Sequence, residues 1–67
     1  MTHTYRNANN QSALITLSQL GDTFTIFRTV YDQKTEHITH TTLNEMLCTH
    51  HEWHWELIDQ GFHLERY

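Results

Sequence analysis

The sequence predicts a small α+β domain, an antiparallel sheet with one short helix packed on one face, in the order β-β-β-α-β-β. Three observations lead there. Two stretches of alternating apolar and polar residues, "ALITLSQL" and "TFTIFRTVY", flank Gly21-Asp22. A helix-start signature stands at Thr42-Leu43-Asn44-Glu45. Beyond it, Trp53, Trp55 and Leu57 return to a spacing of two. Sixty-seven residues make one domain, and a domain of this size buries only about 60% of the surface its unfolded chain exposes. Leu, Ile, Val and Phe number fifteen, and two Trp and three Tyr carry the composition towards a folded chain.

Residues 1–11 are polar, include three asparagines and show no period, so they are expected to form a flexible N-terminal arm, with the α+β domain spanning 12–67. Gly21-Asp22 suits a two-residue hairpin turn with glycine in the first central position. That register sets Leu17 opposite Ile26 and Ala13 opposite Val30, and it gathers Ile15, Leu17, Phe24, Ile26 and Val30 on one face. The other face is mostly Thr and Ser, with Leu14, Phe27 and Tyr31 among them. Asp32-Gln33-Lys34 is a polar break before a third strand, "TEHITH". A three-residue loop there would pair Arg28 with Ile38 and bring Glu36 diagonally near Arg28.

Thr42 and Glu45 form a capping box, in which the threonine hydroxyl accepts from the third helical N–H and the glutamate reaches back to the cap. Leu43, Met46, Leu47 and His50 then fall on one helical stripe that can lie on the sheet. The alternation of Trp53, Trp55 and Leu57 with His54, Glu56 and Ile58 predicts that the helix ends by about Glu52 and a strand begins. Gln60-Gly61 would turn that strand into "FHLERY", with Leu57 opposite Leu64, Glu56 opposite Glu65, and Trp55 opposite Arg66 in a cation–π contact. Both tryptophans would then be core residues, together with Leu57, Phe62 and Leu64.

Four Lys and Arg against eight Asp and Glu give a net charge of −4 without a basic cluster, which argues against nucleic acid as a partner. No apolar run is long enough for a membrane span, and the opening residues lack the order of a secretory signal, so a cytoplasmic chain is expected. The single Cys48 cannot form an internal disulfide, in keeping with a reducing compartment. Asn10-Gln11-Ser12 matches a glycosylation sequon but, with no export signal, reads as a chance match.

Seven histidines are the compositional outlier, and protonating all of them would take the charge from −4 to −4 + 7 = +3. His50, His51, His54 and Cys48 are the candidate ligands for zinc or nickel, with His37, His40 and His63 further along the chain. On a continuous helix His50 and His54 would stand at i and i+4, but a helix ending near Glu52 separates them. "HEWH" does not satisfy the zinc-protease pattern, because Trp55 holds the place of its second histidine. The simpler reading, surface or sheet-edge histidines, is preferred over a metal site. Cys48, one step from the Leu47 stripe, is read as a packing residue rather than a nucleophile. No carboxylate pair or phosphate-cradling glycine loop is present, so neither an enzyme nor a cofactor site is expected.

One helix covers one side of a sheet. Leu14, Phe27, Tyr31, Ile58 and Tyr67 are therefore expected to stay exposed on the other side, as an interface for a second copy or another protein. The expected function is that of a small non-catalytic interaction or regulatory domain that self-associates, with a histidine-rich metal-binding protein as the alternative.

Overall fold

A computed structural model describes residues 1–65, which form a five-stranded antiparallel sheet with one helix on one face. The strands are β1 (Thr2–Arg6), β2 (Ser12–Leu20), β3 (Thr23–Val30), β4 (Glu36–His40) and β5 (His63–Leu64), and the helix α1 spans Leu43–Asp59. In space the strands run β4-β3-β2-β1-β5. The fold class is the α+β arrangement expected, but the element order is β-β-β-β-α-β.

The extra early strand lies in residues 1–11, which are not a flexible arm. Thr2, Thr4 and Arg6 alternate with His3 and Tyr5, and β1 pairs along its whole length with β2 from Thr2↔Thr16 to Arg6↔Ser12. The asparagines build the turn that makes this pairing. The Asn7 side-chain oxygen accepts from the backbone N–H groups of Asn9 (3.1 Å) and Gln11 (2.9 Å), and Asn10 takes the left-handed φ of 63° that asparagine tolerates.

The β2–β3 hairpin has the register the turn chemistry dictates, with Leu17↔Ile26 and Ala13↔Val30. Gly21 supplies the positive φ of 59° at the first central position. The β3–β4 ladder closes two residues tighter than expected, with Arg28 directly opposite Glu36 and Ile26 opposite Ile38. A shift of two preserves the faces, and Ile38 remains on the side of Ile26.

Thr42 caps α1, accepting from the Glu45 N–H at 3.2 Å while the Glu45 carboxylate accepts from the Thr42 hydroxyl at 2.9 Å. The helix does not stop at Glu52. Its buried residues are Met46, Thr49, Trp53 and Leu57, at i, i+3, i+7 and i+11. Trp53 and Leu57 are thus a helical i, i+4 pair, and the Trp55 between them points outward, 51% exposed against 7% for Trp53. The expected strand over 53–58 is absent, and its hairpin pairings with it: Glu56 does not face Glu65, and Arg66 lies outside the described residues. Leu43 and Leu47, expected on the buried stripe, are half exposed, and Cys48 is an exposed thiol rather than a packing residue.

Gln60-Gly61 is the end of the helix. The Phe62 N–H donates to the Leu57 carbonyl at 2.9 Å and the Gly61 N–H to the Ile58 carbonyl at 3.0 Å, with Gly61 at φ 94°. These two bonds make a Schellman motif, completed by the buried contact region that Phe62 and Leu57 share. The chain is thereby reversed, and His63–Leu64 adds to the free side of β1 through Arg6↔His63 and Tyr5↔Leu64. The core between sheet and helix consists of Tyr5, Ala13, Ile15, Ile26, Met46, Trp53, Leu57 and Phe62. No helix among the described residues is long and apolar enough to cross a membrane.

Gly61→Ala tests this reading of the helix end. A Cβ there meets nothing within 4 Å, so the cost is conformational alone, about 1–2 kcal/mol for an L-residue held at positive φ. Chemical denaturation should show that loss, whereas a hairpin-free, frayed end would show almost none.

Candidate functional site

The two faces of the sheet differ in kind. On the helix-covered face, Arg28 is the only cation of the four long strands that points under α1. Its Cζ stands 4.6 Å from the ring centroid of Trp53, and it donates to Glu36 of β4 at 2.7 Å and to Glu56 of α1 at 2.6 Å. The arginine side chain is 13% exposed and both glutamates 54%. Burial works against the guanidinium's charge, but the hydrogen bonds and attraction of Glu36 and Glu56 outweigh it, so the pKa is raised above the ordinary arginine value.

At the other side of the helix three histidines and a tyrosine meet. The His3 and His50 rings stack with centroids 4.9 Å apart, and the Tyr5 hydroxyl lies 2.7 Å from His54 Nδ1. Burial raises the pKa of Tyr5. His50 is held below the ordinary histidine value by desolvation first and then by neighbouring His3, His54 and His51, and its Nε2 is buried without a hydrogen-bond partner. Nearer β4, His40 Nε2 and the Thr49 hydroxyl are 2.8 Å apart.

The long helix restores the i, i+4 spacing of His50 and His54, but these residues are engaged with the sheet. Cys48 and His51 are exposed on the outer side of the helix, where His51 lies edge-on to Trp55. The four candidate metal ligands therefore split between two sides. Among the described residues no three His, Cys, Asp or Glu side chains are grouped to hold a metal ion.

The opposite face of the sheet is open. Across the two central strands it carries Ser12, Leu14, Thr16, Ser18 and Leu20 from β2 and Thr23, Thr25, Phe27 and Thr29 from β3, none of them charged. Threonine hydroxyls pair across strands at Thr2–Thr16 (3.1 Å) and Thr25–Thr39 (3.2 Å), and Phe27 packs beside His37 at a centroid distance of 6.0 Å. Charge appears at the margin, where Arg6 of β1 is paired with Glu65.

Of the five residues expected to form an interface, Leu14 and Phe27 stand on this face, and Tyr31 is exposed in the turn that follows β3. Ile58 is half-buried on the helix, away from that face, because residues 53–58 are helical rather than extended. Tyr67 lies outside the described residues. The residues that sequence reasoning missed are His3 and Arg28. His3 had a signal in the period-two alternation of "THTYR", and Arg28 had one in being a lone charge at an inward position of a central strand.

The chain matches no family model, and neither a curated protein nor a solved structure is significantly similar to it.

Two measurements check the covered face. Replacing the fork of Arg28 with an apolar stem, Arg28→Met, leaves Glu36 and Glu56 free to turn to water, and a loss of about 1–3 kcal/mol is expected from the charged hydrogen bonds and the ring contact together. A loss under about 0.5 kcal/mol would show that the clamp is incidental. The depressed pKa of His50 means that the unfolded chain takes up this proton first. Its contribution is therefore neutral above the unfolded value of about 6.5 and turns destabilising as pH falls below it, down to the lower folded value. Denaturation at pH 7, 6 and 5 should show a shallower decline in His50→Leu than in the parent chain.

Proposed function

We propose that this chain is a non-catalytic protein-interaction domain that self-associates by stacking the open faces of two sheets. The observation that carries this reading is the absence of charge across the outward residues of β2 and β3, in a chain whose net charge is −4. An uncharged face of an acidic protein can meet its own copy without charge repulsion, and sheets pack face to face at about 10 Å with their side chains interdigitated. Leu14, 37% exposed, and Phe27 lie diagonally across the β2–β3 pair and supply the apolar contact, with threonine methyl groups around them. A two-fold axis through the face brings the same residues from both copies together. Tyr31 borders the region at the end of β3.

Sedimentation of the full chain at micromolar concentration tests the reading. Concentration-dependent dimer is expected, and Phe27→Lys, which sets a lysine against its own copy, should shift the equilibrium towards monomer by at least about tenfold. A clean monomer in the parent chain, or a dimer indifferent to Phe27→Lys with the fold intact by circular dichroism, would sink it.

A further inference from the structure

Stacking of open faces leaves the edges of the sheet unused, and one of them is bare. β4 has β3 on one side and no described strand on the other, so its outer N–H and C=O groups have no partner in a sheet. Sheet edges are ordinarily blunted by proline, lysine, a bulge or a covering loop. β4, "EHITH", contains no proline or lysine and pairs with β3 in an unbroken register from Arg28↔Glu36 to Phe24↔His40. Four of its five residues are exposed.

The helix above this edge shows what chemistry would fit. His40 meets Thr49, and Glu36 meets Glu56 through Arg28, so α1 runs antiparallel to β4 and turns the flank containing Thr49 and Glu56 towards it. Glu45 and Glu52 stand four residues before Thr49 and Glu56, on that same flank, and both are exposed. With Glu36 on the strand itself, four carboxylates belong to the helix side of this edge against one cation, Arg28, which Glu36 and Glu56 share. The chain's one lysine, Lys34, stands in the loop ahead of β4.

A second copy is a poor occupant. Joining β4 to β4 with the faces matched would turn the acidic flank of each helix towards the other, carboxylates against carboxylates. We infer that the β4 edge accepts an extended segment of a different protein as an added strand, a segment with lysine or arginine at every second position. Its backbone would complete the open hydrogen bonds, and its period of two would place all its cations on the side of Glu36, Glu45, Glu52 and Glu56. The intervening side chains would lie on the side of His37 and Thr39 and call for no charge. Five residues of strand span about 17 Å, which sets the recognition length at five to six residues. This inference rests on reading the chain as an interaction domain, but it uses a surface that the stacking face does not.

The probe is a labelled, end-capped peptide in which lysine alternates with valine, titrated into the full chain and followed by fluorescence anisotropy and by backbone amide shifts. Saturable one-to-one binding is expected, with the largest shifts at residues 36–40. The pair Glu45→Gln and Glu52→Gln spares the Arg28 clamp and keeps a capping acceptor at 45, and it should weaken binding at least about threefold. A peptide of the same composition with alternate backbone nitrogens methylated should lose binding, because it cannot extend the ladder. Equal binding by the methylated peptide, or by an analogue with glutamate in place of lysine, would overturn the inference. So would a dimer of the free chain that Ile38→Lys dissociates, since a second copy would then own the edge. Phe27→Lys separates the two readings: it should weaken stacking at least about tenfold and leave peptide binding unchanged.

Discussion

A guanidinium held between a tryptophan ring and two carboxylates fixes how this helix crosses its sheet. Arg28 points inward from a central strand, where removal from water costs several kcal/mol unless partners meet the charge. Its partners come from separate elements: Glu36 from β4, Trp53 and Glu56 from α1. Pairing Arg28 with Glu36 sets the register of the third hairpin, and requiring Trp53 and Glu56 at one point sets the rotation of the helix. Turning α1 by a single residue, 100°, would carry Trp53 off the guanidinium and Met46 and Leu57 out of the core. The distribution of everything else on the helix follows from that angle. His50 and His54 face His3 and Tyr5, Glu56 reaches Arg28, and Leu43, Leu47 and Trp55 are exposed.

Much of the sheet is legible in the sequence because its signals are local. Gly21-Asp22 between two alternating runs specifies one turn and one register, and the observed pairs are the ones that turn demands. Thr42 and Glu45 specify the helix start in the same way. The end of the helix is less legible, because glycine at positive φ serves both a hairpin turn and a Schellman cap. Trp53, Trp55 and Leu57 also satisfy two periods at once, since i and i+4 share a face on a strand and on a helix alike. Only the middle residue separates the two, and Trp55 is apolar enough to pass for either. Residues 1–11 were obscured differently: asparagines that suggest an unstructured arm are the side chains that close the β1–β2 turn.

The candidate surfaces divide along the same line. The uncharged character of the outer sheet face could be read from the alternation of Thr and Ser with Leu14 and Phe27. The edge of β4 and its acidic flank could not, because they depend on strand order and on helix rotation, which are set by contacts between residues far apart in the chain, Arg28 with Glu56 at 28 positions and Tyr5 with His54 at 49. The histidines show the reverse case. Their number draws attention to metal chemistry, while the fold assigns most of them separate tasks: a stack with His3, a hydrogen bond with Tyr5, another with Thr49.

The two tryptophans finally provide the domain with internal optical labels of opposite character. Trp53 is sealed beneath a cation, whereas Trp55 is half in solvent with His51 and His54 edge-on to its ring. A soluble collisional quencher reaches only the second indole while the helix is docked. The emission that survives quenching therefore reports the contact between α1 and the sheet directly, and a loosening of that contact too slight to change the overall helix content would be visible as a fall in the protected fraction.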